Sequence, residues 1–123
     1  MKVFRVQDHK GRGPFKPGFT RFWLDPSKPE SELLPSMFDE FPNVMGLLLD
    51  HGHQGCACTD LDTLKRWFNA AEMSLLKHVG YRIVSMNADK ILAQSKNQVL
   101  FWRKLPFNTD IEVIEDDRLC DQT

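Results

Sequence analysis

The chain has 123 residues, with 16 Lys and Arg against 17 Asp and Glu, a formal net charge of -1, 41% hydrophobic and 27% charged residues. That is enough for a single core and too apolar for a disordered chain, and the balanced charge gives no global reason to expect nucleic-acid or membrane binding. The longest apolar run, Val44 to Leu49, contains Gly46 and is far short of the roughly 20 residues a membrane helix needs. The N-terminus lacks the pattern of a secretory signal, which predicts a cytoplasmic protein. Three cysteines, with Cys56 and Cys58 too close to bridge comfortably, predict free thiols.

In chain order, Lys2 to Val6 alternates polar and apolar residues and predicts a strand. Gly11, Gly13 and Pro14 then break it into a loop. Prolines 17, 26, 35 and 42 extend the irregular stretch and leave room only for short helical pieces between Glu32 and Leu49. Gln54 to Cys58 predicts a strand that ends at a helix cap. Thr59 is expected to provide the capping hydroxyl, with Asp60 and Asp62 near the positive end of the helix. Leu61, Leu64, Trp67 and Phe68 fall on one face of that helix. Asn69 and Glu72 repeat the cap pattern for a second helix, which Gly80 ends. Tyr81 to Met86, Lys90 to Gln94 and Gln98 to Leu105 read as consecutive antiparallel strands, with one more at Ile111 to Ile114. The expected fold class is α+β: a single compact domain over residues 1–107 with a mainly antiparallel sheet and a few short helices, followed by an acidic C-terminal strand and tail over 108–123.

The charge is unevenly placed. Residues 1–30 carry seven basic side chains against three acidic ones, whereas residues 108–123 carry six acidic side chains against Arg118 alone. A metal site at His51, His53, Cys56 and Cys58 is disfavoured, because four ligands so close along one strand cannot easily form a tetrahedron. Gln98 is read as an outward residue of an antiparallel strand, alternating with inward Val99 and Phe101, and Arg5 as a residue of a solvated strand face or an anion ligand.

Phe4-Arg5-Val6-Gln7-Asp8, followed by Gly11-Arg12-Gly13-Pro14-Phe15 and Pro17-Gly18-Phe19, resembles the opening of ADP-ribosyltransferase-fold proteins of the cholera and diphtheria toxin superfamily. Gly55 to Leu61 resembles a strand that ends in Ser-Thr-Ser before a helix in the cholera-like branch. Gln94 to Phe101 resembles the final motif, where a catalytic Glu precedes a Val-Leu strand. The resemblance implies an ADP-ribosyltransferase-like fold and NAD as substrate. It places Arg5, Gln7, Asp8, Gly11, Arg12, Gly13, Cys58 and Thr59 around the nucleotide, and Arg5, Thr59 and Gln98 at the catalytic positions. Gln98 stands where the family has Glu. An amide bonds a ribose hydroxyl but lacks the charge that stabilises a developing cation, so nucleotide binding is expected more than NAD cleavage. The alternative expectation, from a different class, is a non-catalytic interaction or inhibitor protein of the phage or mobile-element type. Such a protein would dock an acidic or phosphate-bearing partner, a protein target among the candidates, through its basic N-terminal loop.

Overall fold

The structure, a computed structural model, describes residues 1–13 and 40–114. Strand β1 (Lys2–Gln7) follows the expected alternation: Val3, Arg5 and Gln7 face one side, Phe4 and Val6 the other. It pairs antiparallel with β3 (Arg82–Asn87), in register from Lys2 opposite Asn87 to Gln7 opposite Arg82. On its other edge β3 takes β6 (Glu112–Ile114), so the strand expected near Ile114 completes the sheet β1-β3-β6. A second sheet has the order β2-β5-β4, from β2 (His53–Ala57), β4 (Lys90–Gln94) and β5 (Val99–Arg103), with a bulge in β4 between Ile91 and Ala93.

A backbone bridge stitches the two sheets together. Phe4 N donates to Cys58 O at 2.7 Å and Cys58 N to Phe4 O at 2.8 Å. The inner faces supply Val3, Val84, Met86, Ala57, Val99 and Phe101, which close a core between the sheets. The expected succession of antiparallel strands is therefore corrected. β4 and β5 pair, but β3 and β4 do not, because the chain crosses from one sheet to the other at Ala88 and Asp89, where Asp89 N donates to Trp102 O.

Helices α2 (Leu61–Trp67) and α3 (Ala70–His78) cover the Phe4 and Val6 face of the first sheet; a four-residue helix, α1 (Val44–Leu47), precedes β2. Leu64, Phe68, Met73 and Leu76 supply the buried face of α2, α3 and their junction. Asn69 and Glu72 form the expected capping box, and Gly80 takes a φ of 105° where the helix stops. At α2 the cap differs from expectation. Asp60, not Thr59, is the N-cap, its carboxylate accepting from Thr63 N at 2.7 Å. A charged acceptor bonds an N–H more strongly than a hydroxyl does, so the acid one residue later takes the position. The described residues form one compact α+β domain built mainly of antiparallel sheet. Among them, no helix is long and apolar enough to cross a membrane. The irregular stretch expected over Pro17 to Glu30 and the end of the acidic tail lie outside the described residues.

Candidate functional site

Alternation along β1 turns Arg5 inward, so it is 8% exposed between the two sheets rather than on a solvated face. Its Nη1 lies 3.4 Å from Cys56 O and its Nη2 3.4 Å from Gly11 O, both long for a charged donor. The guanidinium carbon sits 4.6 Å from the centre of the Phe107 ring. Nε has no hydrogen-bond partner among the described residues. Burial pulls the Arg5 pKa down to about 10, opposed by Cys56 and Asp8, and the group stays charged at neutral pH. Gly55 makes this stack possible. A Cβ there would lie 2.5 Å from Nη1 and 3.0 Å from the Phe107 ring.

The loop after β1 is organised by Asp8. One carboxylate oxygen accepts from both Lys10 N and Arg12 N at 2.9 Å, and the other from Arg12 Nε at 3.2 Å. Asp8 N donates to Arg12 O and Gly11 N to Asp8 O, so the turn is closed by backbone bonds as well. Gly11 has a φ of 84°, a conformation glycine adopts without strain. Gly13 also approaches Arg5, since a Cβ there would lie 3.3 Å from Nη2. Gln7, 1% exposed, faces the same side as Arg5 and donates from Nε2 to Phe107 O at 2.8 Å.

The other end of the site lies before β5. Gln98 is 5% exposed, which corrects the outward placement expected for it. The reason is a tight turn: Ser95 Oγ accepts from Asn97 N and Gln98 N, and Ser95 N donates to Gln98 O. The turn aims both side-chain amides at Glu40. Gln98 Nε2 donates to one carboxylate oxygen at 2.7 Å and Asn97 Nδ2 to the other at 3.2 Å. Asn97 O accepts from Trp67 Nε1 at 2.9 Å and from Cys58 Sγ at 3.6 Å, which ties the turn to α2 and to the end of β2. Burial pushes the Cys56 thiol up to about 11 and the Cys58 thiol up to about 12.

Of the predicted residues, Arg5, Gln7, Gly11 and Gly13 gather around Phe107 and the guanidinium, while Asp8 and Arg12 shape the loop beside them. Cys58 and Gln98 adjoin across the Asn97 turn, and half-buried Thr59 separates the Cys58 bridge from the Asp60 cap. Among the described residues Arg5 and Gln98 are connected through β2: the Cys56 carbonyl meets Arg5, and Cys58 meets the Asn97 turn that carries Gln98. His53 faces Phe107, its ring 5.9 Å away, whereas Cys56 packs against the Phe41 and Leu100 cluster on the opposite face of β2. Among the described residues no group of His, Cys, Asp or Glu is placed to hold a metal ion.

Sequence reasoning missed Glu40, Asn97, Arg103 and Phe107. Asn97 and Phe107 had weak signals, in the Ser95-Lys96-Asn97 turn and the Pro106 that precedes the ring. Glu40, 58 residues from Gln98, had none.

A profile of the bacteriophage T4 Y00F protein matches residues 1–110. The chain belongs to that phage family. The match takes in β1 to β5 and every residue of the candidate site, and stops just before β6. No curated protein and no solved structure matches the chain. For a phage-family protein the site is mainly a set of internal fastenings, in which two buried polar side chains, Arg5 and Gln98, tie separate segments of one small domain together.

Proposed function

We propose that this phage-family protein is a non-catalytic interaction protein that docks an acidic or phosphate-bearing partner through its basic N-terminal loop. The observation that carries this reading is the fastening of the loop. A buried guanidinium holds Gly11 O from beneath, and the Asp8 carboxylate fixes the backbone at Lys10 and Arg12. Exposed Lys10 and Arg12 are therefore presented on a preformed backbone, which lowers the ordering cost of binding. The excess of basic residues over positions 1–30 favours an anionic partner. Membership of a phage family supports the same reading. The test uses a fluorescent polyglutamate peptide and inorganic polyphosphate as probes, each titrated at several salt concentrations into the wild type and a Lys10→Glu variant, whose side chain takes no part in the Asp8 clasp. Salt-dependent binding lost in the variant, with an unchanged melting temperature, is expected. Equal binding by both proteins, or none by the wild type, overturns the proposal.

A second reading, a small NAD-binding ADP-ribosyltransferase-like protein, draws support from adjacency. Phe4, Cys58 and Asn97, one from each of the three segments that carry that resemblance, are joined by hydrogen bonds, and Arg5 keeps a donor, Nε, without a partner among the described residues. The fit to a nucleotide is partial, since the Gln98 amide is already held by Glu40. On this reading NAD, nicotinamide or ADP-ribose raises the melting temperature of the wild type and not of Arg5→Lys. No shift with any of the three removes it.

A further inference from the structure

The loop that follows β5 is folded around a buried cation. Arg103 is 2% exposed; its Nε donates to Leu105 O at 2.8 Å and its Nη2 to Pro106 O at 3.1 Å and to Thr109 O. Lys104 N donates to the Asp89 carboxylate at 2.7 Å and fixes the start of the same loop. A guanidinium that satisfies three carbonyls within five residues defines the path of the chain between them, because a planar fork permits few alternative geometries.

From this loop Phe107 reaches under the basic loop. Its ring lies 4.6 Å from the Arg5 guanidinium carbon and 5.3 Å from the Phe101 ring centre, and its carbonyl accepts from Gln7. Gly11 packs so closely that a Cβ there would lie 2.9 Å from Phe107 Cβ. The basic loop therefore rests on Phe107 directly through Gly11, and indirectly through Arg5, which holds Gly11 O while stacked on the same ring.

We infer that Arg103 and Phe107 are positioning residues for the Asp8 to Gly13 loop, so that the two loops form one mechanical unit. Arg103 sets the loop after β5, that loop sets Phe107, and Phe107 sets the height and orientation of the backbone carrying Lys10 and Arg12. The functional consequence rests on the docking reading above; the coupling itself is measurable without any partner.

The experiment is amide hydrogen exchange on the full chain by NMR, for the wild type, Arg103→Lys, Phe107→Leu and the double variant. The amides of Gly11 and Arg12, both bonded to Asp8, report the basic loop, and the amides of β3 and β5 report global opening. Each single variant is expected to speed exchange at Gly11 and Arg12 by roughly tenfold or more while β3 and β5 change by less than about twofold. The double variant is expected to add little to the larger single effect, since both act by one route. Unchanged exchange at Gly11 and Arg12, an equal acceleration in β3, or fully additive effects would overturn the inference. Should Arg103→Lys fail to fold, Phe107→Leu decides alone, because it keeps an apolar side chain at a half-buried position. A wild type that binds neither anionic probe would remove the docking reading and leave the exchange result standing.

Discussion

Gln98 Nε2 donates to Glu40 Oε1 at 2.7 Å, across 58 residues of chain, while Asn97 holds the other oxygen of the same carboxylate. A negative charge does stand beside position 98, but it is the acceptor of an internal bond. Glu112 lies in β6 at the surface, one carboxylate oxygen 4.0 Å from Lys2 Nζ. Phe41, next to Glu40, is 8% exposed and packs with Leu100, so the clasp and the core hold this segment at the same place.

Removing the Glu40 carboxylate strands two amide donors that are each 5% exposed on their residues. Hydrogen bonds to a charged acceptor contribute about 1.5–3 kcal/mol. Glu40→Ala is therefore expected to lower stability by roughly that amount in urea denaturation. Glu40→Gln, which keeps one acceptor oxygen, is expected to lose less. Equal stability of Glu40→Ala and the wild type would reduce the clasp to a surface contact.

Gly55→Ala tests the stack from the other side. The new methyl would sit 2.5 Å from Arg5 Nη1 and 3.0 Å from the Phe107 ring, and overpacking of this kind costs about 1–3 kcal/mol. In an Arg5→Ala background the guanidinium is gone, so the same substitution is expected to cost less. Thermal denaturation of the four proteins gives the cycle, and additive effects would contradict the contact.

Much of the fold was legible because local rules decided it. The Asn69 capping box, the stop at Gly80 and the alternation in β1 each depend on neighbours in sequence. The cap falls on Asp60 rather than Thr59 because two capping residue types stand side by side and the charged acceptor bonds the Thr63 N–H more strongly. Strand pairing was less legible. Nothing local tells Lys90 to leave β3 and join β5, since that choice is made by the burial of Phe101 and Val99 between the sheets. In the site, the sequence pointed to Arg5 and the Gly11 loop, but the partners Glu40 and Phe107 come from distant segments whose meeting only the tertiary fold brings about.

The two described cysteines are expected to be slow thiols. Burial pushes Cys56 up to about 11, with Arg5 opposing and Glu40 adding to it; burial followed by Asp60 and Cys56 pushes Cys58 up to about 12. Against an ordinary value of 9.0, a rise of this size cuts the thiolate fraction at neutral pH by roughly a hundredfold or more. Reaction with a chromogenic disulfide at neutral pH should leave both unmodified until denaturant is added. Rapid labelling of Cys58, which is 3% exposed, would show that the Phe4 and Cys58 bridge opens readily.

The Asp8 loop should carry a pH dependence of definite sign. Burial favours the neutral acid, but the backbone N–H groups of Arg12 and Lys10, together with the Arg12 charge, outweigh it and hold the Asp8 carboxyl below its ordinary value of 3.8. A carboxyl whose pKa is depressed in the folded state contributes stability above its unfolded value and loses it as pH falls through the folded value. The loop is thus expected to stay closed at neutral pH and to loosen only below the ordinary carboxylate range. Following the Asp8 side-chain carbonyl carbon by NMR should give a midpoint under 3.8, with the Lys10 and Arg12 amide signals moving at the same pH. In Asp8→Asn those two amides should show no such midpoint, and the stability gap between variant and wild type should close in acid. An Asp8 midpoint at or above 3.8 would mean that the carboxylate does not hold the two N–H groups in solution, and with them would go the preformed backbone on which the docking loop depends.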